Sequence, residues 1–107
     1  MLEQRWAADP FAAPDAPELA ALGLGPRQLA AAETAGRLVR LKPDLVVPPA
    51  AAALAMRVLA GLPQPFTVSD ARQALATSRR VAVPLLEHLD RRGWTVRLDG
   101  ASRRVAD

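Results

Sequence analysis

Apolar positions along the chain fall at helical spacing in some stretches and cluster at strand length in others, with glycine or proline between them. Residues 1–16 (MLEQRWAADPFAAPDA) hold neither period for more than a few positions and are interrupted by Pro10 and Pro14, which predicts a linker or an incomplete piece of an upstream domain. Pro17 to Leu22 reads as a short helix ending at Gly23. Pro26, whose missing N–H costs nothing at a first helical position, opens a second helix that stops at Gly36. Leu38 to Leu41 and Leu45 to Val47 are short β-type runs on either side of the turn Lys42-Pro43-Asp44.

The second half repeats the pattern of helix, glycine stop and hairpin. Pro48-Pro49 opens a helix to about Ala60, with Leu54, Val58 and Leu59 as its apolar face, Met56 and Leu62 beside them, and Gly61 and Pro63 as its stop. Thr67-Val68-Ser69-Asp70 has the S/T-x-x-acid form of a helix start, with Val68, Ala71 and Leu75 inward. After the connection Ala76-Thr77-Ser78, Ser78 is positioned to cap a helix whose stripe is Val81, Leu85, Leu86 and Leu89 and whose stop is Gly93. Pro84 removes the bond to the carbonyl of Arg80, predicting a kink or a loosened first turn. WTVRL, Asp99-Gly100 and ASRRV read as strand, primed turn and strand. Two helices joined by a tight turn and followed by a hairpin make a winged helix. The expected fold class is mostly α with small β-hairpins (α+β): a winged helix over 48–107, in tandem with a partial or small winged-helix module over 17–47.

Composition narrows the chemistry. The chain has 107 residues, so a domain near half that size has a thin core, and with only Trp6, Phe11, Phe66 and Trp94 aromatic that core rests on Leu and Val. The absence of cysteine excludes disulfides and thiolate metal sites and fits a reducing compartment. The longest nearly uncharged run, Leu45 to Met56, is too short to span a membrane and contains two prolines, and the N-terminus has no signal-peptide pattern. A cytoplasmic monomer without membrane contact is expected. Charge is uneven: residues 67–107 carry eight arginines against five acids, whereas basic and acidic residues balance over 1–66.

In a winged helix the second helix of the pair is the usual recognition element, here Arg79 to Arg92. Ser78, Arg79 and Arg80 combine with the backbone N–H groups and positive dipole end of its first turn to suit phosphate. Arg97, Arg103 and Arg104 on the wing, and Arg72 on the preceding helix, complete the candidate set. The competing reading is that these arginines solvate a helix end and a hairpin. Arg91 and Arg92 are explained by the negative end of the dipole, Trp94 by packing into the core, and the lone His88 as a helix-surface residue. Asp70, Glu87, Asp90 and Asp99 each have a local role in capping, salt bridging or turning. No GxxxxGK, GxGxxG or HExxH occurs, so no catalytic residue, metal or cofactor is expected.

The segment FTVSDARQALATSRRVAVPLLEHLDRRGWTVRLDGASRRV, with its FTV start, TSR-x-x-x-x-PLLE-x-LDR-x-G centre and TxR wing, resembles the last winged-helix domain of SelB, the bacterial selenocysteine-specific translation elongation factor. GRLVRLKPDLVVPPAAAALA resembles the end of that family's penultimate winged helix, so the likeness runs from about Pro17 to Val105. It implies that the last winged helix binds the selenocysteine insertion hairpin of selenoprotein mRNA and meets the ribosome indirectly, through the remainder of the factor. The family's basic pair falls on Arg79 and Arg80 and its wing arginine on Arg97. Val81 stands where a tyrosine or similar bulky residue is frequent, and Trp94 where a phenylalanine is common. No GTP-binding motif is present, so no GTPase activity is expected of this chain. A DNA-reading regulator and a protein-docking module are the alternatives from other classes.

Overall fold

The segment expected to be a linker or an incomplete piece of an upstream domain contains a helix with a tryptophan in the core. The computed structural model describes residues 2–106 and divides between Ala51 and Ala52 into two compact units. The first contains helices α1 (Leu2–Ala8), α2 (Ala16–Ala21) and α3 (Pro26–Thr34), then strands β1 (Val39–Lys42) and β2 (Leu45–Val47). Helix α1 escapes a periodicity argument because its apolar face is one i, i+4 pair, Leu2 and Trp6. Trp6 joins Leu19, Leu29, Leu38 and Val46 in one cluster, and its indole Nε1 donates to the Ala12 carbonyl at 3.0 Å. Asp9 accepts from the Phe11 N–H at 3.0 Å, closing the turn that buries Phe11. The prolines therefore shape a packed corner.

Helix α2 starts on a reciprocal capping box. The Asp15 carboxylate accepts from the Glu18 N–H at 2.8 Å, and Glu18 accepts from the Asp15 N–H at 3.0 Å. Arg5 on α1 reaches the same Glu18 at 2.6 Å, and this bond with the cap holds the Glu18 carboxyl below its usual range. Helix α3 stops where expected, at Gly36 with φ +75°. In the hairpin Val39 pairs with Val47 and Arg40 with Val46, after which a shift brings Lys42 opposite Leu45. Lys42 thus belongs to the strand, leaving Pro43-Asp44 as the turn. Three helices and a hairpin follow the element order of a winged helix.

The second unit opens with most of α4 (Ala51–Ala60). The buried stripe of this helix is Ala51, Ala55 and Leu59, while Leu54, Met56 and Val58 are half-buried along its margins. The expected face was displaced because alanine at the centre of a stripe allows close approach, leaving larger side chains at the edges. Gln64 then straps the chain: its Nε2 donates to the carbonyls of Leu59 at 3.0 Å and Leu62 at 2.9 Å, and its Oε1 accepts from the Val105 N–H at 2.8 Å. Next comes a strand the sequence did not announce, β3 (Phe66–Thr67), followed by α5 (Val68–Ala74), α6 (Arg79–Arg91), β4 (Thr95–Arg97) and β5 (Ser102–Val105). The sheet order is β3-β5-β4, with Phe66 opposite Arg103 and Thr67 opposite Ser102.

Thr67 and Asp70 form the anticipated capping box on α5. Helix α6 runs unbroken through Pro84, and the Ala82 N–H meets the Ser78 carbonyl at 2.8 Å, so its first turn is closed rather than loosened. Val81, Leu85, Leu86 and Leu89 are buried as their spacing requires. The wing differs from expectation at its tip: neither Asp99 nor Gly100 takes a positive φ. Instead the Asp99 carboxylate accepts the N–H groups of Ala101 and Ser102, both at 2.8 Å, and the Leu98 N–H donates to the Ser102 carbonyl at 2.9 Å. An aspartate that satisfies two backbone donors removes the need for a primed turn. Those two bonds also hold the Asp99 carboxyl below its ordinary range.

Replacing Trp6 with alanine removes the largest side chain from the first core. The expected cost is about 3 kcal/mol in urea unfolding, with increased amide exchange across α2, α3 and the hairpin. Unchanged stability would return residues 1–16 to the status of a linker.

Candidate nucleic-acid interface

The two helices of the pair differ at their N-termini. On α5 the Thr67 hydroxyl accepts from the Asp70 N–H at 3.0 Å and Asp70 accepts from the Thr67 N–H at 3.0 Å, so side chains and a negative charge cover that end. Ser78 holds the N-cap position of α6 with extended backbone (φ −92°, ψ 164°), but its side chain makes no capping bond, and no acid lies in the first turn. The positive end of the helix dipole there carries no neutralising side-chain charge, which suits an external anion. Arg79 and Arg80 stand there, both exposed. Arg72, also a candidate, is half-buried in the last turn of α5, where its charge complements the negative dipole end. Its carbonyl accepts from the Thr77 N–H at 3.1 Å in the connection that leads to Ser78.

The wing arginines separate by strand alternation. Thr95 pairs with Val105, Val96 with Arg104, and Arg97 with Arg103. Arg103 was expected to face nucleic acid, and the fold puts it inside. It is 3% exposed, and its Nε lies 3.2 and 3.0 Å from the two carboxylate oxygens of Asp90 on α6. Thr95, also 3% exposed, donates to the same carboxylate at 2.6 Å. Directly paired residues share a face of the sheet, so Arg97 begins on the Arg103 side. At the end of β4 it escapes burial, and its guanidinium donates to the carbonyls of Asp99 at 3.2 Å and Gly100 at 3.4 Å. Arg104 takes the opposite face, half-buried, with Nη1 donating to the Val105 carbonyl at 3.2 Å. The candidates near the surface are therefore Ser78, Arg79 and Arg80 on α6 and Arg97 and Arg104 on the wing. Asp90 was given only a local role and Thr95 none, because nothing in the local spacing signals that Asp90 meets Arg103 thirteen residues on and fixes the wing to the helix.

Residues 57–105 match the family described as the winged helix of elongation factor SelB. This segment is a SelB winged helix. The crystal structure of a bacterial selenocysteine-specific elongation factor, EF-Sec, superposes on 98% of the chain with a TM-score of 0.76 at 24% identity. That similarity establishes the shared fold, and the aligned region spans 18% of the EF-Sec chain. A search of curated proteins finds no match.

The far end of α6 in the SelB winged helix has a different character. The Arg92 guanidinium lies 4.1 Å from the centroid of the Trp94 ring, a cation–π contact that adds to its favourable place at the helix C-terminus. Trp94 was expected in the core; it is half-buried, because the arginine covers it from the solvent side and it lines a shallow apolar groove with Ala53, Met56 and Ala106. His88 is half-buried too, and burial together with the charges of Arg92 and Arg91 pushes its pKa below the ordinary 6.5. Among the described residues no group of three His, Cys, Asp or Glu side chains is placed to hold a metal ion, and no helix is long and apolar enough to cross a membrane.

Two predictions follow from these contacts. Asp90→Ala strands a buried guanidinium and is expected to cost about 3 kcal/mol in chemical denaturation, whereas Arg103→Met, which removes the charge and keeps the volume, is expected to stay within about 1 kcal/mol. Equal and small losses in both variants would contradict a structural role for the pair. For His88, a folded pKa below the unfolded one means that the unfolded chain binds the proton first. Its contribution is fully present above pH 6.5 and is lost as the pH falls toward the folded pKa. The melting temperature should therefore decline as the pH falls below 6.5, and the decline should be smaller in His88→Gln; identical slopes would contradict it.

Proposed function

We propose that this chain recognises a structured RNA, the hairpin in selenoprotein messages that directs selenocysteine insertion, with the first turn of α6 and the wing as its contact surface. The observation that carries the reading is the N-terminus of α6, basic and free of acids in its first turn, in a winged helix of the SelB family. In an A-form stem the major groove is too narrow to admit a helix. A winged helix meets such a stem through backbone phosphates and through bases displayed in the loop, and Ser78, Arg79, Arg80, Arg97 and Arg104 supply groups for the phosphate part. Arg72 is assigned to shaping the turn before α6. The domain acts by binding alone, in the cytoplasm and as a monomer, and the ribosome is reached through the rest of the factor.

Titration of the full chain with a bulged stem–loop RNA, a loop-altered control and a matched DNA duplex across salt concentrations tests this. The stem–loop should bind best, and Arg79→Ala with Arg80→Ala should weaken it by about a hundredfold. The double variant should also reduce the slope of log K against log salt by roughly 1.5, since each phosphate contact contributes about 0.7 to 0.9. The melting temperature should hold. Unchanged affinity, or a preference for the duplex, would overturn the proposal.

A further inference from the structure

The groove beside Trp94 lies at the opposite end of α6 from the helix start that the RNA reading uses. Ala53 and Met56 on α4, Gly93 and Trp94 just after α6, and Ala106 just after β5 line it, so its floor is aliphatic apart from the indole. Cations border this floor. The Arg92 guanidinium stands 4.1 Å from the centroid of the Trp94 ring. Arg57 follows Met56 and lies one turn beyond Ala53, so it rises from the same flank of α4. Arg91 precedes Arg92, and all three arginines are exposed. Among the described residues none of them is within ion-pairing distance of a carboxylate. Glu87, one turn before Arg91, makes no pair with it, and Asp90 is taken by Thr95 and Arg103. The excess positive charge reaches His88, whose pKa is lowered first by burial and then by Arg92 and Arg91.

We infer that this groove docks an acidic peptide segment of a partner protein, which places a large apolar side chain against Met56 and Trp94 and its carboxylates on Arg92 and Arg57. Charge complementarity selects the occupant. An apolar floor bordered by arginines without acidic partners attracts an acidic segment and repels a basic one. A guanidinium lying over a ring keeps its N–H donors in its own plane, so Arg92 can hold the indole and accept a carboxylate at the same time. The methionine adapts to the shape of the entering side chain. A nucleobase is disfavoured, because the ring face on which it would stack is covered by Arg92. A second copy of this chain is disfavoured too, since a twofold contact through the groove would set the same arginines against one another. Helix α6 separates Arg79 from Arg91 by roughly 18 Å, so the peptide and the RNA can be held together.

The test is a selection of short random peptides displayed on phage against the full chain, followed by titration of the enriched peptide in synthetic form. The selection should return sequences with several acids around a leucine, phenylalanine or tryptophan, and their binding should weaken as salt is raised. Ala53→Glu sets a carboxylate in the groove within reach of Arg57 and should lower peptide affinity by about tenfold or more, whereas Ala53→Gln, of the same bulk, should lower it by only about twofold. Arg92→Gln should cost about fivefold. Position 53 is exposed on its helix, so the melting temperature of both Ala53 variants should hold. Saturating peptide should leave the affinity for stem–loop RNA unchanged. The inference is overturned if the selection returns nothing or returns sequences without acids. Equal losses in Ala53→Glu and Ala53→Gln overturn it as well, because the charge then has no part. Competition between peptide and RNA assigns the groove to nucleic acid, and self-association of the wild type that Ala53→Glu abolishes assigns it to a second copy; either result contradicts the proposal.

Discussion

The buried contact among Asp90, Arg103 and Thr95 joins the three elements on which the interface depends. Asp90 lies near the end of α6, Thr95 begins β4, and Arg103 is in the middle of β5, so one carboxylate connects the recognition helix to both strands of the wing. An ion pair of this kind adds little net stability, because desolvating the charges offsets most of their attraction. Its value lies in specificity: any other angle between wing and helix leaves a guanidinium buried without a partner. Gln64 adds a second tie, fastening the C-terminal end of α4 to β5 through hydrogen bonds at both ends of its amide. The N-terminus of α6 and the tip of the wing are thereby held in a fixed relation, which a rigid hairpin ligand requires.

That rigidity makes the distribution of charge along α6 informative. Basic residues occupy both ends of the helix, but their surroundings differ. Arg79 and Arg80 accompany the positive end of the dipole, where neighbouring cations repel one another and an added anion relieves the repulsion. At the other end Arg91 and Arg92 complement the dipole, and Arg92 is engaged with the ring of Trp94. A count of arginines would rank the two ends alike; their local electrostatics do not.

The parts of the fold legible in the sequence were those with local causes. Helices α2, α3, α5 and α6 begin at a proline or a polar cap and end at or just before a glycine or a tight turn, and a side chain's effect on its own backbone can be read from a few residues. Helix α1 was missed because Trp6 is held by residues far along the chain, and strand β3 because a two-residue strand exists only through its pairing with β5. The face of α4 was misplaced because large apolar side chains were taken as its centre, whereas close packing chose alanine. Within the candidate site, Arg79, Arg80 and Arg97 were chosen by type and position, and the fold leaves all three exposed. Arg103 was misjudged for one reason: strand alternation fixes which residues share a face, but the face that turns inward depends on an acid contributed by another element.

Mapping amide chemical shifts while a stem–loop RNA is titrated into the full chain tests the central claim most directly, because it reports the contact surface without altering any side chain. The account predicts perturbations concentrated at residues 78–82 and 96–104, with the amides of residues 91–94 unmoved. Perturbations centred on Trp94 and Met56, or none at RNA concentrations that saturate binding, would contradict it.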